Sequence, residues 1–138
     1  MREQTITTAE DLQKPRDRAV IAGLSSPRLD AQDNADDETM AELEALEETA
    51  GGEVAASVLQ NRSSPEPRTF IGEGKVAEIK ELVKNEEATM VIFDNDLSPS
   101  QMRALTEDLG VQVLDRSALI LDIFAQRART REGRLQVE

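Results

Sequence analysis

Residues 72–77, Gly72-Glu73-Gly74-Lys75-Val76-Ala77, carry the spacing G-x-G-x-x-[GA] at the start of a helical pattern. Glycines so placed let a backbone approach a phosphate, and the helix N-terminus behind them favours negative charge. Asp94 stands at the end of the next strand pattern, where an acidic residue would hold a ribose. The fingerprint also needs a strand that runs straight into the first glycine. Here a stretch containing Pro65 and Pro67 separates Gln60 from Gly72, so the plainer reading is a glycine-shaped helix entry with Lys75 in solvent. A Walker A loop is excluded, because Thr69 replaces its first glycine and Val76 follows Lys75 where Ser or Thr is required. Gly72, Gly74 and Lys75 remain the place to look for a bound nucleotide.

A second set of polar residues falls at the ends of strand patterns, where open α/β sheets bind ligands. These are Ser25 and Ser26, Asn61 and Arg62, Asp94 to Asp96, and Asp115 with Arg116. A phosphoacceptor or magnesium site at Asp94, as in receiver domains, needs an acidic pair after the first strand. Gly23-Leu24-Ser25-Ser26 stands there instead, too few hard oxygen ligands for such a cation. Asp115 is expected to cap the turn into the last helix.

A third feature is a run of cations near the C-terminus, Arg127, Arg129, Arg131 and Arg134 against Glu132. Two readings apply to it: a solvated, salt-bridged helix end, or an element that contacts phosphates.

Composition removes much else. The 138 residues suffice for one domain with its own core, and the net charge is −12. That charge argues against the domain as a whole binding nucleic acid or anionic lipid. The chain has no Cys and no His, which rules out thiolate chemistry, Ser-His-Asp catalysis and His-ligated metals. No catalytic residue and no metal ligand set is assigned. Neither a signal peptide nor an apolar run near the ~20 residues of a membrane span is present, so a cytoplasmic location is expected.

The elements that must position these residues alternate along the chain. After a polar lead-in over 1–17, strands are expected at Arg18–Leu24, Glu53–Gln60, Ala88–Phe93 and Val111–Leu114. Helices are expected at Asp36–Ala50, Glu73–Asn85, Ser98–Leu109 and from Ser117 onward. Met40, Leu43, Leu46 and Ala50 fall on one face of the first helix. Ser98-Pro99-Ser100-Gln101 is a capping box with proline at the first helical position, and Gly110 stops that helix. Short connections in the order βαβαβαβα predict an α/β fold: a four-stranded parallel sheet, strand order 2-1-3-4, with helices on both faces and the final helix truncated. That last helix is apolar almost all round over Ala118–Ala125, interrupted by Asp122. A helix of that kind is covered on several sides.

Three segments together resemble a known family: Pro67–Lys75, Asp94–Gln101 and Asp115–Glu138, the last carrying LILDIFAQRA and LQVE. They resemble the N-terminal domain of HflX-type GTPases, from Arg18 to the last residue. The resemblance implies an α/β domain over 18–126 and the start of a helical hairpin over 127–138. It implies a parent protein whose separate GTPase domain binds GTP and Mg²⁺, neither of which this chain would hold itself. It implies binding to the large ribosomal subunit, in splitting or rescue of ribosomes under stress, with Arg127, Arg129, Arg131 and Arg134 as ribosomal RNA contacts. Its own GTPase domain is implied as a partner in cis, with a regulatory role for this domain as an alternative. ATP binding in some members points to Gly72–Lys75. A helix cut short in the hairpin predicts self-association, with Leu119, Ile120, Leu121 and Phe124 buried against a second copy.

Overall fold

The first strand, β1 (Arg18–Ser25), is buried at every position except its two ends, as an apolar run in the middle of a parallel sheet should be. In the computed structural model, which describes residues 17–125, β1 pairs with β2 (Glu53–Asn61) on one side and β3 (Met90–Phe93) on the other. The fourth strand, β4 (Gln112–Asp115), pairs with β3. All pairs are parallel and the strand order is β2-β1-β3-β4, the order the sequence predicts. The hairpin start over 127–138 lies outside the described residues, and so does the lead-in apart from Asp17.

The helices are α1 (Asp37–Thr49), α2 (Glu73–Asn85) and α3 (Pro99–Leu109), with α4 helical over 116–125. Alternation along the strands divides the core in two. Val20, Ala22, Leu24, Val91, Phe93 and Val113 face α2 and α3. Ala19, Ile21, Met90 and Ile92 face α1 and Leu119 of α4. The chain therefore crosses from β1 to β2 over one face, and from β2 through β3 to β4 over the other.

Local signals set the helix ends. Asp36 accepts from Thr39 N, and Thr39 returns the bond to Asp36 N, a capping box ahead of α1. Ser98 and Gln101 do the same for α3 behind Pro99, and Gly110 closes it at φ 77°. Both boxes satisfy N–H groups that a helix leaves unpaired at its start. Ala88 and Thr89, read as strand, instead belong to the approach, where Glu87 at φ 54° turns the chain into β3.

Two packing expectations change. The inward residues of α1 are Met40, Leu43 and Glu47, with Leu46 and Ala50 only partly covered. Gly52 leaves the room that the Glu47 carboxyl group occupies, since a Cβ there would collide with it. The second change concerns α4. Leu119 is 3% exposed, covered within its own chain, while Leu121 and Phe124 are 68% and 62% exposed. One side of α4 covers the sheet and the other faces outward.

Candidate functional site at the carboxyl ends of the strands

The chain leaves β1 toward β2 and leaves β3 toward β4, so the point where the direction reverses lies between the ends of β1 and β3. In open parallel sheets that crevice is the usual seat of a ligand. Here the protein's own side chains fill it. Asn95 is 1% exposed; its Oδ1 accepts from Leu24 N at 2.9 Å and its Nδ2 donates to Leu24 O and Asp33 O. Asn34 ties the β1–α1 loop in the same way, accepting from Ser26 N and donating to Ser26 O and Leu29 O. Ser26 donates across to Ser63 O beyond β2.

Asp94 sits beside Asn95 and is also 1% exposed. A carboxylate so buried needs charge-assisted partners. Its Oδ2 accepts from the Thr39 hydroxyl at 2.5 Å, and its Oδ1 accepts from Arg116 Nε at 3.0 Å. The Arg116 Nη2 approaches the same oxygen at 2.9 Å and also donates to the Asp94 carbonyl. Neighbouring residues repeat the pattern. Ser117 donates to Asp96 at 2.8 Å. Asp115 accepts from Leu97 N with one oxygen and from Ala118 N with the other, which makes it the cap of α4 that the sequence predicts. The loop after β3 and the first turn of α4 are thus joined residue by residue.

The glycine segment is closer to a strand end than its sequence distance suggests. Gly72 N donates to Gln60 Oε1 at 3.0 Å, which brings the start of α2 over the end of β2. Phe70, at φ 68°, makes the necessary turn by exchanging both backbone bonds with Glu66. A Cβ at Gly72 would stand 2.5 Å from the Arg62 guanidinium, so the close approach there is to the protein's own cation. Gly74 faces open space, and α2 starts without a side-chain cap. Lys75 pairs with Glu78 at 2.9 Å and joins neither Asp94 nor Arg116. Arg127, Arg129, Arg131 and Arg134 lie outside the described residues.

A shallow cleft of about 380 Å³ opens elsewhere, between α2 and α3, lined by Arg68, Thr69, Glu73, Val76, Lys80 and Asp108 among others. The Arg68 guanidinium grips Asp108 with bonds of 2.7 and 3.1 Å, and this holds the Asp108 carboxyl below its usual range. Among the described residues no three acidic side chains converge to hold a metal ion, and no helix is long and apolar enough to cross a membrane.

Sequence reasoning named Asp94 to Asp96 and Asp115 with Arg116 as strand-end residues, but it did not pair Asp94 with Arg116, did not name Thr39, and gave Asn95 no part in closing the crevice. The signal that could have singled out Asn95 is the polar pair Asp94-Asn95 immediately after a central apolar strand, where no solvent is available to satisfy it; nothing local marks Thr39 or Arg116 as the partners of Asp94.

Residues 37–125 match the family described as GTP-binding GTPase N-terminal. Over 103 residues the chain is 50% identical to the GTPase HflX of Escherichia coli, covering 75% of this chain and 24% of that protein. It is 42% identical over 130 residues to the GTPase HflX of Caldanaerobacter subterraneus, covering 94% of this chain and 29% of that protein. Among solved structures, a GTP-binding protein of Sulfolobus solfataricus in complex with GDP is similar at 28% identity and a TM-score of 0.57, over 79% of this chain and 30% of that one. The chain therefore spans about a quarter to a third of the relatives it matches.

Proposed function

This chain belongs to the GTP-binding GTPase N-terminal family, as an HflX-type N-terminal domain, and on that premise we propose that it docks a GTP-hydrolysing protein on the large ribosomal subunit. The observation that carries the reading is α4, which is bonded to the sheet through its first turn and turns Leu121 and Phe124 outward. In sequence it leads directly to Arg127, Arg129, Arg131 and Arg134. An acidic domain can use such an element on RNA, because phosphate attraction acts within a Debye length of about 8 Å at physiological salt. GTP and Mg²⁺ are the business of the family's GTPase domain, which is this domain's partner in cis. Splitting or rescue of ribosomes under stress, in the cytoplasm, is the role this reading assigns to the whole protein.

The test is co-sedimentation with large ribosomal subunits across a salt series, wild type against a variant with all four arginines changed to Glu. Binding that weakens with salt and is lost in the variant is the expected result. Equal binding by both proteins removes the arginines from the interface.

A second reading, ATP binding at Gly72, Gly74 and Lys75, is favoured by one observation: the glycine segment stands over the end of β2. Titration with ATP followed by thermal shift addresses it, since a ligand that binds only the folded state raises the melting temperature. Gly74→Val is an apt control, because the position opens on free space and the fold accommodates the larger side chain. A saturable rise that Gly74→Val abolishes supports the reading, and a flat titration removes it.

A further inference from the structure

At the switch point Asn95 and Asn34 tie down the loop after β1, while the other residues of the loop after β3 lead to one helix. Asp94, Asp96 and Leu97 are joined to Arg116, Ser117 and Asp115 in turn. Through Thr39 the same Asp94 carboxylate is tied to the first turn of α1. We infer that Asp94, Thr39 and Arg116 form a joint that sets the direction in which α4 leaves the sheet.

Three observations support the joint. Asp94 is almost wholly buried, so its charge has no alternative partner in water, and the Arg116 fork is directional where a single ammonium would not be. Past its first turn, α4 is held lightly: Leu119 is buried and Ile123 partly so, while Leu121 and Phe124 face outward. A helix fastened at its root and lightly seated beyond it takes its direction from the root. Ten residues at ~1.5 Å each make a lever of ~15 Å, so a rotation of ~20° at Arg116 moves the far end by ~5 Å. Thr39 couples that root to α1, on the same face of the sheet. Asp94, Thr39 and Arg116 are positioning residues in this account, and none is assigned to a ligand.

The experiment uses the absence of cysteine from the chain. A Glu42→Cys, Leu121→Cys protein carries one spin label on the exposed side of α1 and one on α4, and pulsed dipolar spectroscopy reads the distance between them. In the parent the distribution is narrow. Arg116→Ala broadens it or adds a second population, while Arg68→Ala, which breaks an ion pair on the opposite face, leaves it narrow. Thr39→Val broadens it as well, and Thr39→Ser, which keeps the hydroxyl, restores it. Should Arg116→Ala fail to fold, Arg116→Lys serves, with the fork lost and the charge kept. A narrow parental distribution in folded Arg116→Ala or Arg116→Lys, together with Thr39→Val, overturns the joint.

Its bearing on docking rests on the ribosome reading above, and the two fail separately. Broadened distances with several-fold weaker co-sedimentation support both. Broadened distances with unchanged co-sedimentation support the joint and overturn α4 as the docking element.

Discussion

Replacing Glu47 with Gln should stabilise the domain above neutral pH and leave it nearly unchanged in acid. Glu47 lies on the inner side of α1, 3% exposed. Its carboxyl is raised from 4.5 to about 7, first by burial and then by the charges of Asp17 and of Asp122 on α4. The sign follows from which state holds the proton. Between pH 4.5 and about 7 the folded chain binds a proton that the unfolded chain has lost. Stability from this group is therefore fully present below about pH 4.5, falls as pH rises to about 7, and is flat above it. At ~1.4 kcal/mol per pH unit the rise corresponds to about 3 kcal/mol, an upper limit that the desolvated Gln amide reduces to roughly 1–3 kcal/mol. The assay is urea denaturation of wild type and Glu47→Gln at pH 5 and pH 8. The variant should gain most at pH 8, and half-molar salt should trim only the share owed to Asp17 and Asp122, since burial is not screened. A difference between the two proteins that is the same at both pH values refutes the reasoning.

Two further outcomes can be measured. A Cβ at Gly23 would stand 2.8 Å from both Ala35 Cβ and Met40 Sδ; Gly23→Ala should lower stability by about 1–3 kcal/mol through overpacking between β1 and α1, read as a fall in the urea midpoint at constant m-value. The outward side of α4 should drive self-association at high concentration. Sedimentation equilibrium should then show a concentration-dependent mass that Leu121→Glu with Phe124→Glu abolishes, and a constant monomer mass for the wild type counts against it.

What the sequence determined is what acts over a few residues. The apolar run that ends at Phe93 has strand length and stops at Asp94, which favours a strand covered on both faces. The Ser98–Gln101 box and Gly110 bound α3 because helix ends have unpaired backbone groups that local side chains satisfy. Short connections between alternating elements leave few arrangements, and the parallel order β2-β1-β3-β4 is the one the sequence predicts. The tertiary structure alone decided which polar groups meet. Asp94 reaches Arg116 and Thr39 across 22 and 55 residues, and those encounters depend on sheet register and on which face each helix covers. The same holds for Gln60 receiving Gly72 N, and for Glu47, which stands at the helical spacing of Met40 and Leu43 but whose charge assigns it to solvent until the layers close over it. Hydrophobic pattern and capping are short-range and repeat along the chain. Pairing of buried charges is long-range, set only once the layers have closed and water has left the crevice between them.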